Sequence, residues 1–186
     1  AATTIVEYSP WAYSEPRPDV FDWQHADLIV AHAQRQGLQV IARLDYVPDW
    51  ARPPQTPTRY LDEARFGDYA AFVAAFADHF QGRVAALVIW NEPNLAFEWG
   101  GREPDPAAYT RLLAAAYRAA KAVNPDLPIL AAGLAPTLAR PGEEAAMSDL
   151  AFLEGMYQAG AGDVFDGLAL HAYGWRFPAD DPPSPD

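Results

Sequence analysis

Five short apolar segments, each followed by a helical pattern, constrain the fold of this chain more than any other feature. Their centres are spaced by roughly 36 to 47 residues, which is the period of strand–helix units that build a parallel sheet. Short apolar runs are typical of strands that are covered on both faces. The strand-like segments are Thr3–Tyr8, Leu38–Leu44, Ala86–Trp90, Pro128–Leu134 and Gly167–His171.

Each gap between these segments contains apolar residues at three- and four-residue intervals, the spacing of an amphipathic helix. The first such helix ends at Gly37, the second at Gly82, and the third before Asn124-Pro125. The aromatic residues of the second helix, from Phe66 to Phe80, are predicted to pack on the sheet. The helical segments are Trp23–Gln36, Phe66–Phe80, Tyr109–Ala120 and Leu150–Tyr157.

Composition narrows the classes of function. The 186 residues, 51% of them hydrophobic, are enough for one compact domain. The net charge of −12 repels phosphate backbones, so we expect no nucleic-acid partner. There are no cysteines, and no stretch approaches the ~20 apolar residues of a membrane span, so we expect no thiolate metal site and no membrane partner. The compartment, secreted or cytoplasmic, is not determined by these features.

The most informative segment for function is Leu87-Val-Ile-Trp-Asn-Glu-Pro-Asn94. Pro93 cannot donate to a sheet ladder, so the strand must end there and leave Glu92 at its carboxyl end. In parallel α/β folds, ligands bind at that end of the strands. Glu92 is therefore a candidate general acid, and the competing interpretation is that it caps the next helix.

The chain resembles the (β/α)8-barrel retaining glycoside hydrolases that carry their acid/base glutamate in an Asn-Glu-Pro motif after the fourth strand, most closely the cellulase-like and β-xylosidase-like members. Four segments match in order, and together they cover nearly the whole chain. They are Ser9-Pro-Trp…Glu15-Pro…Phe21-Asp-Trp23, Leu44-Asp-Tyr-Val-Pro-Asp-Trp-Ala51, Trp90-Asn-Glu-Pro-Asn94 and Leu170-His-Ala-Tyr173.

The resemblance implies a fold and a set of roles. The fold would be an incomplete TIM barrel containing about strands 2 to 6, with strands 1, 7 and 8 expected from the same longer chain. Glu92 would be the acid/base, Asn91 would bind the sugar 2-hydroxyl, and His171 would contact sugar hydroxyls. Tyr173 would donate a hydrogen bond to the nucleophile, a second glutamate expected beyond Asp186. No cofactor is implied.

Further substrate-binding residues are predicted from their position after the strands. Indole faces stack on pyranose rings, which makes Trp11, Trp50 and Trp99 candidates, as well as Trp175; core packing is the competing interpretation for each. Trp23 is expected to pack at a helix start.

Several charged and imidazole side chains complete the expectations. Asp45 is expected to bind substrate or orient a neighbour, whereas Glu98 and Glu103 are expected to be solvated. Three histidines fall on helices without a companion at ligand spacing, so we expect them at the surface and predict no metal site. They are His25, His32 and His79.

These observations predict a partial barrel over residues 1–177 and a Pro/Asp-rich loop or tail over 178–186. The predicted function is hydrolysis of β-linked oligo- or polysaccharides by double displacement. The alternatives are a non-catalytic carbohydrate-binding barrel that lacks the nucleophile, and a parallel α/β protein of unrelated chemistry in which Asn-Glu-Pro is coincidental.

Overall fold

A computed structural model describes residues 2–173 of the chain. Within this range there are five strands and five helices, and at least one helix lies between each two consecutive strands. Short 3₁₀ turns lie at 49–51, 63–65 and 161–163. Trp175 and the predicted tail at 178–186 lie outside the described residues. The elements are β1 Thr4–Pro10, α1 Trp11–Ser14, α2 Gln24–Arg35, β2 Gln39–Asp45, α3 Phe66–His79, β3 Ala86–Ile89, α4 Pro106–Val123, β4 Ile129–Leu134, α5 Asp149–Gln158 and β5 Gly167–Leu170.

The five strands form one parallel sheet in the order β1-β2-β3-β4-β5. This confirms the predicted strand–helix alternation, with strand boundaries that agree within two residues. Trp90 and His171, the last residues of two predicted strands, lie just outside them, because β3 ends at Ile89 and β5 ends at Leu170. Since all neighbours run parallel, the carboxyl ends of the strands meet at one edge of the sheet.

Local signals explain where the helices begin and end. The carboxylate of Asp105 accepts hydrogen bonds from the backbone N–H groups of Ala107 and Ala108, and Pro106 occupies the first turn of α4. Gly37 follows α2 with a φ of 72°, a left-handed conformation that glycine adopts without a steric cost. The helix limits predicted from the sequence are therefore set by caps as well as by apolar periodicity.

The fully buried core lies between the sheet and the helices. Leu87 and Ile89 of β3 and the aromatic residues Phe72 and Phe76 of α3 are completely inaccessible. The hydroxyl of Tyr109 on α4 donates to the carbonyl of Ile89 at 2.8 Å and accepts from the backbone N–H of Ala132 at 2.7 Å. This buried tyrosine fixes α4 against both β3 and β4 without leaving a polar atom unpaired.

The opposite face of the sheet carries polar side chains. Arg43 on β2 and Tyr8 on β1 are paired in the register, and the guanidinium lies 5.2 Å from the phenol ring. Both side chains therefore project from the face opposite the helices.

Within residues 2–173, no helix has the length and the apolar character that crossing a membrane would need.

Candidate active site

Strained backbone marks the carboxyl ends of β2 and β3. Trp90 and Glu92 have φ values of 75° and 40°, and Tyr46 has a φ of 59°. Left-handed conformations of this kind cost non-glycine residues about 1–2 kcal/mol each and occur preferentially at functional sites. The chain therefore turns sharply at the point where the sequence places Asn-Glu-Pro.

Glu92 is held by two neighbouring strands. Its backbone N–H donates to the carbonyl of Gly133 on β4 at 3.1 Å. Its Oε1 lies 2.7 Å from Nδ1 of His171, which directly follows β5, and both side chains are largely buried. The carboxyl group and the imidazole are therefore within hydrogen-bond distance, although the two residues are 79 positions apart in the sequence.

Gly133 provides the space for this contact. A Cβ atom at this position would lie 2.5 Å from Cδ2 and 2.6 Å from Nε2 of His171. Real side chains do not approach so closely, so any larger residue would displace the imidazole ring. Gly133 thus both accepts the backbone hydrogen bond of Glu92 and admits the partner of its side chain.

Asn91 is buried next to Glu92, and the oxygen of its carboxamide is bound by an arginine. Its Oδ1 accepts a hydrogen bond from Nη1 of Arg43 at 2.9 Å. A guanidinium can only donate, so this contact fixes the amide oxygen on the side of Arg43. The structure therefore places Asn91 at the site with a defined orientation of its amide.

Asp45 and Glu98 form a buried charged cluster with two arginines. Nη1 of Arg59 lies 2.9 Å from Oδ2 of Asp45 and 2.8 Å from Oε2 of Glu98, and Nε of Arg43 lies 3.3 Å from Oδ2 of Asp45. The expectation that Glu98 is solvated is wrong: only 7% of its surface is exposed, because Arg59 compensates its charge. Glu103, in contrast, is exposed as predicted.

Burial has the largest effect on the pKa values of these two carboxyl groups. It raises the pKa of Asp45 to about 6, although the neighbouring Arg59 and Arg43 act in the opposite direction. It also raises the pKa of Glu98, again opposed by Arg59. Asp45 is completely inaccessible, so the structure supports a role in orienting its neighbours and not the direct contact with substrate that was also considered.

Two of the predicted sugar-binding tryptophans lie in the core. Trp11 is completely inaccessible; its indole stacks on Phe72 with ring centroids 5.7 Å apart, and its Nε1 donates to Oε2 of Glu15 at 2.6 Å. Trp99 is 2% exposed and packs between Trp90 and Tyr109. Neither indole has a face open to a sugar ring, so for both of them the competing interpretation, core packing, is correct.

The remaining predicted binding residues are more accessible. Trp50 is partly buried, and its Nε1 donates to the carbonyl of Glu15 at 2.8 Å. Tyr173 is 54% exposed, with its ring centroid 5.4 Å from that of His171. The contact of Tyr173 with a nucleophile and the stacking of Trp50 on a sugar stay predictions.

Trp23 and His79 pack together on the helical side of the molecule. Trp23 directly precedes α2, as expected, and stacks on His79 with centroids 5.0 Å apart. Nε2 of His79 lies 3.0 Å from Oδ1 of Asp27, which also accepts from Nη1 of Arg83 at 2.7 Å. His79 is thus a half-buried structural residue and not the surface residue that was expected.

Among residues 2–173, no cluster of three or more potential metal-ligating side chains is present.

Asn94 joins the loops that follow β3 and β4. Its Nδ2 donates to the carbonyls of Ala135 at 2.9 Å and Met147 at 3.0 Å, and its Oδ1 accepts from the N–H of Ala135 at 2.9 Å. Trp90 adds a second anchor, since its Nε1 donates to the carbonyl of Glu98 at 2.9 Å. The loop that contains Glu92 is therefore rigidly held along its length.

Arg43, Arg59, Glu98 and Gly133 are site residues that the sequence analysis did not identify. One of them has a signal in the sequence: Arg43 is a charge within the apolar strand Gln39–Asp45, at a position that shares its face with Asp45. Arg59 and Glu98 lie in loops, and Gly133 lies in a strand without any local mark of its contact with His171. Their roles depend on contacts between distant segments.

Comparison with known proteins shows which fold contains these strands and helices. No family model matches the chain. Among solved structures, the chain is similar to a family 39 glycoside hydrolase from the gut symbiont Bacteroides cellulosilyticus WH2, with 25% sequence identity and a TM-score of 0.69, over 91% of this chain and 32% of that one. The fold is part of a (β/α)8 barrel.

Other matches have the same architecture. A monomeric β-xylosidase from Caulobacter crescentus CB15 matches with 24% identity and a TM-score of 0.59, over 83% of this chain and 31% of that one. The exo-β-1,4-mannosidase Op5Man5 from Opitutaceae bacterium strain TAV5 matches with 18% identity and a TM-score of 0.57, over 69% and 25%. The chain thus spans between a quarter and a third of the length of these three glycosidases. The predicted partial barrel is confirmed.

Proposed function

We propose that this chain carries the acid/base half of a retaining glycoside hydrolase that acts on β-linked oligo- or polysaccharides. The observation that carries the proposal is the carboxyl group of Glu92, held at the carboxyl end of a barrel strand with its Oε1 2.7 Å from Nδ1 of His171. The similarity of the fold to barrels of glycoside hydrolases supports the same assignment.

The chemistry assigned to Glu92 needs a group that gives a proton and later takes one back. In the first step, Glu92 protonates the leaving oxygen while a nucleophilic carboxylate attacks the anomeric carbon. In the second step, Glu92 removes a proton from water, which displaces the enzyme carboxylate. Retaining enzymes place these two carboxyls about 5–5.5 Å apart. We assign the nucleophile to a glutamate beyond residue 186.

Substrate class follows from charge and from the similar structures. A net charge of −12 favours neutral sugars over anionic ones. Two of the similar structures are described as a β-xylosidase and an exo-β-1,4-mannosidase. We therefore propose a neutral β-glycoside as the substrate of the full-length protein.

Leaving-group dependence tests the role of Glu92. In the full-length enzyme, Glu92→Gln should lower kcat/KM about 10²–10⁴-fold for substrates with poor leaving groups, which need protonation. Aryl glycosides with activated leaving groups need little protonation and should lose much less in the first step. The exposed Glu103→Gln is the matched control and should leave both substrates unaffected. Equal losses for both substrate types would refute the acid role.

The full-length protein also distinguishes hydrolysis from the alternative function, sugar binding without catalysis. A carbohydrate-binding barrel without catalysis would bind oligosaccharides saturably and release no product from any of these glycosides. Calorimetric titration with the substrates, together with product analysis of the wild-type protein, distinguishes the two functions directly.

A further inference from the structure

Arg43 projects from β2 towards the candidate active site and is held there by three neighbouring side chains. Its Nη1 donates to Oδ1 of Asn91 at 2.9 Å, and its Nε lies 3.3 Å from Oδ2 of Asp45. Its guanidinium carbon lies 5.2 Å from the centroid of the Tyr8 ring, within the range of a cation–π contact. The guanidinium thus contacts an amide, a carboxylate and an aromatic ring, which together restrict its position beside Asn91.

The buried carboxyl groups near Arg43 are both engaged by arginines. Oδ2 of Asp45 lies 2.9 Å from Nη1 of Arg59, and the same nitrogen lies 2.8 Å from Oε2 of Glu98. Two guanidinium groups and two carboxylates therefore compensate one another when all four are ionised. Among these four side chains, no net negative charge remains to attract a cation towards Asn91.

The contact with Arg43 decides which end of the Asn91 carboxamide is free. A guanidinium only donates hydrogen bonds, so the amide oxygen faces Arg43. Rotation of the amide by 180° would turn its N–H groups against the guanidinium N–H groups, and an attractive contact would become a repulsive one. The amide nitrogen therefore lies on the side away from Arg43, where Asn91 offers hydrogen-bond donors and not an acceptor.

The proposed function gives these donors a neighbour on the substrate. Glu92 protonates the oxygen at C1 of the sugar, and Asn91 directly precedes Glu92 in the chain. The substituent at C2 is attached to the adjacent carbon, and hydrogen bonds to it strengthen in the transition state of glycoside hydrolysis. A hydroxyl oxygen at C2 can accept from Asn91, whereas an ammonium group at C2 only donates and would be repelled.

We propose that Arg43 is a positioning residue that sets the specificity of the site at C2 of the sugar, because it holds Asn91 as a hydrogen-bond donor. The site accepts sugars with a hydroxyl oxygen at C2 and rejects 2-amino-2-deoxy sugars in their ammonium form. The net charge of −12 acts in the opposite direction, since it attracts cations, so this selectivity has a local origin. The inference rests on the proposed function and adds the substituent that the substrate carries at C2.

Three aryl β-glycosides with the same leaving group test this specificity in the full-length enzyme. They are the parent glycoside with its 2-hydroxyl, the 2-deoxy analogue and the 2-amino-2-deoxy analogue. Because the three differ in intrinsic reactivity, the readout is the change that a variant makes in the ratios of their kcat/KM values.

Arg43→Met removes the donor to the Asn91 oxygen and leaves the amide free to rotate. We expect the kcat/KM ratio of the parent to the 2-deoxy glycoside to fall about tenfold, the effect of one hydrogen bond. The ratio of the parent to the 2-amino glycoside should fall at least as much, because the rotated amide oxygen can accept from the ammonium group. Equal losses on all three glycosides would indicate a merely structural role and overturn the proposal.

A double-mutant cycle separates this role from the charge of Arg43, whose loss by itself weakens the repulsion of an ammonium substrate. If Arg43 acts through Asn91, then Arg43→Met should change both ratios by less than about twofold in an Asn91→Ala background. Changes that persist without Asn91 would assign the selectivity to charge alone and contradict the proposal. The matched control is Arg118→Met, the same chemical change at an exposed position of α4, which should alter neither ratio.

Asn91→Asp replaces Arg43→Met if the latter does not fold. The carboxylate has nearly the shape of the amide and forms an ion pair with Arg43, while its second oxygen replaces the N–H donors by an acceptor. The kcat/KM ratio of the 2-amino to the parent glycoside should then rise about tenfold or more. An unchanged ratio would show that Asn91 does not face C2 and would overturn the proposal.

Failure of the proposed function is recognised separately. If the wild-type protein hydrolyses none of the three glycosides, the proposed function fails, and the specificity is then tested by calorimetric binding of the same three compounds. Tighter binding of the parent glycoside that Arg43→Met reduces would support the role of Arg43. Equal or absent binding of the three would refute it.

Discussion

Gly133 shows at the scale of one residue how close packing defines the site. Its carbonyl holds the backbone of Glu92, and its missing side chain leaves the space that the imidazole of His171 occupies. No turn or left-handed conformation requires glycine there, because Gly133 is not among the residues with positive φ. The requirement is purely steric.

Gly133→Ala should therefore displace the His171 ring and break its contact with Glu92. We expect kcat/KM of the full-length enzyme to fall about 10–100-fold, since a 1 Å displacement at an active site has effects of this size. Gly67→Ala is the matched control, because a Cβ at Gly67 meets no atom within 4 Å. In a His171→Ala background, Gly133→Ala should add no further loss; an additive loss would contradict the steric explanation.

At the scale of elements, the end of β2 places a charged side chain in the interior of the molecule. Asp45 ends this strand completely buried, between Arg43 of the same strand and Arg59 of the following loop. Burial raises its pKa from 3.8 to about 6. The folded state therefore binds a proton in a pH range where the unfolded chain has already released it.

This shift makes the stability of the protein depend on pH. Between about pH 3.8 and about pH 6, the contribution of Asp45 to the free energy of unfolding decreases as pH rises, because the ionised form is the one that burial disfavours. The slope from one such group is at most about 1.4 kcal/mol per pH unit. Asp45→Asn should remove this slope in urea unfolding between pH 4 and pH 7. The exposed Asp126→Asn should give a curve parallel to that of the wild type, and a parallel curve for Asp45→Asn would contradict the assignment.

At the scale of the whole molecule, the sheet of residues 2–173 has two open edges, β1 and β5. A closed barrel has no edges, because its first and last strands pair. Apolar side chains lie exposed on both edge strands, including Val6 at 63% and Leu170 at 77%. Unpaired strand edges beside exposed apolar side chains favour association.

The 186-residue chain expressed by itself should therefore associate or be poorly soluble. Val6→Lys places a charge on the β1 edge and should shift the population towards monomer in sedimentation velocity. Leu28→Lys is the matched control, since Leu28 is equally exposed but lies on α2, away from either edge. A sharp monomer with a cooperative melt for the unmodified chain would contradict this expectation.

Much of the architecture could be predicted from local signals. Apolar runs and helical periodicity identify all five strands and the four longer helices, because each pattern reflects the face that its own element buries. Pro93 cannot continue a sheet ladder, so the position of Glu92 just after β3 was also predictable, although the strand already ends at Ile89, where Trp90 turns away with a φ of 75°. The identity of Trp11 and Trp99 as core residues was not, because a tryptophan after a strand is equally compatible with stacking on a sugar and with packing under a loop.

The sequence by itself determined the parallel strand–helix order and the place of Asn91-Glu92-Pro93 at a strand end, since both follow from periodicity and backbone chemistry within a few residues. Only the tertiary structure decided the partners of that segment. His171 reaches Glu92 across 79 positions and Arg43 reaches Asn91 across 48, while Arg59 brings together Asp45 and Glu98. The physical reason is that hydrogen bonds and ion pairs depend on distances of about 3 Å, which only the packing of strands and loops can set.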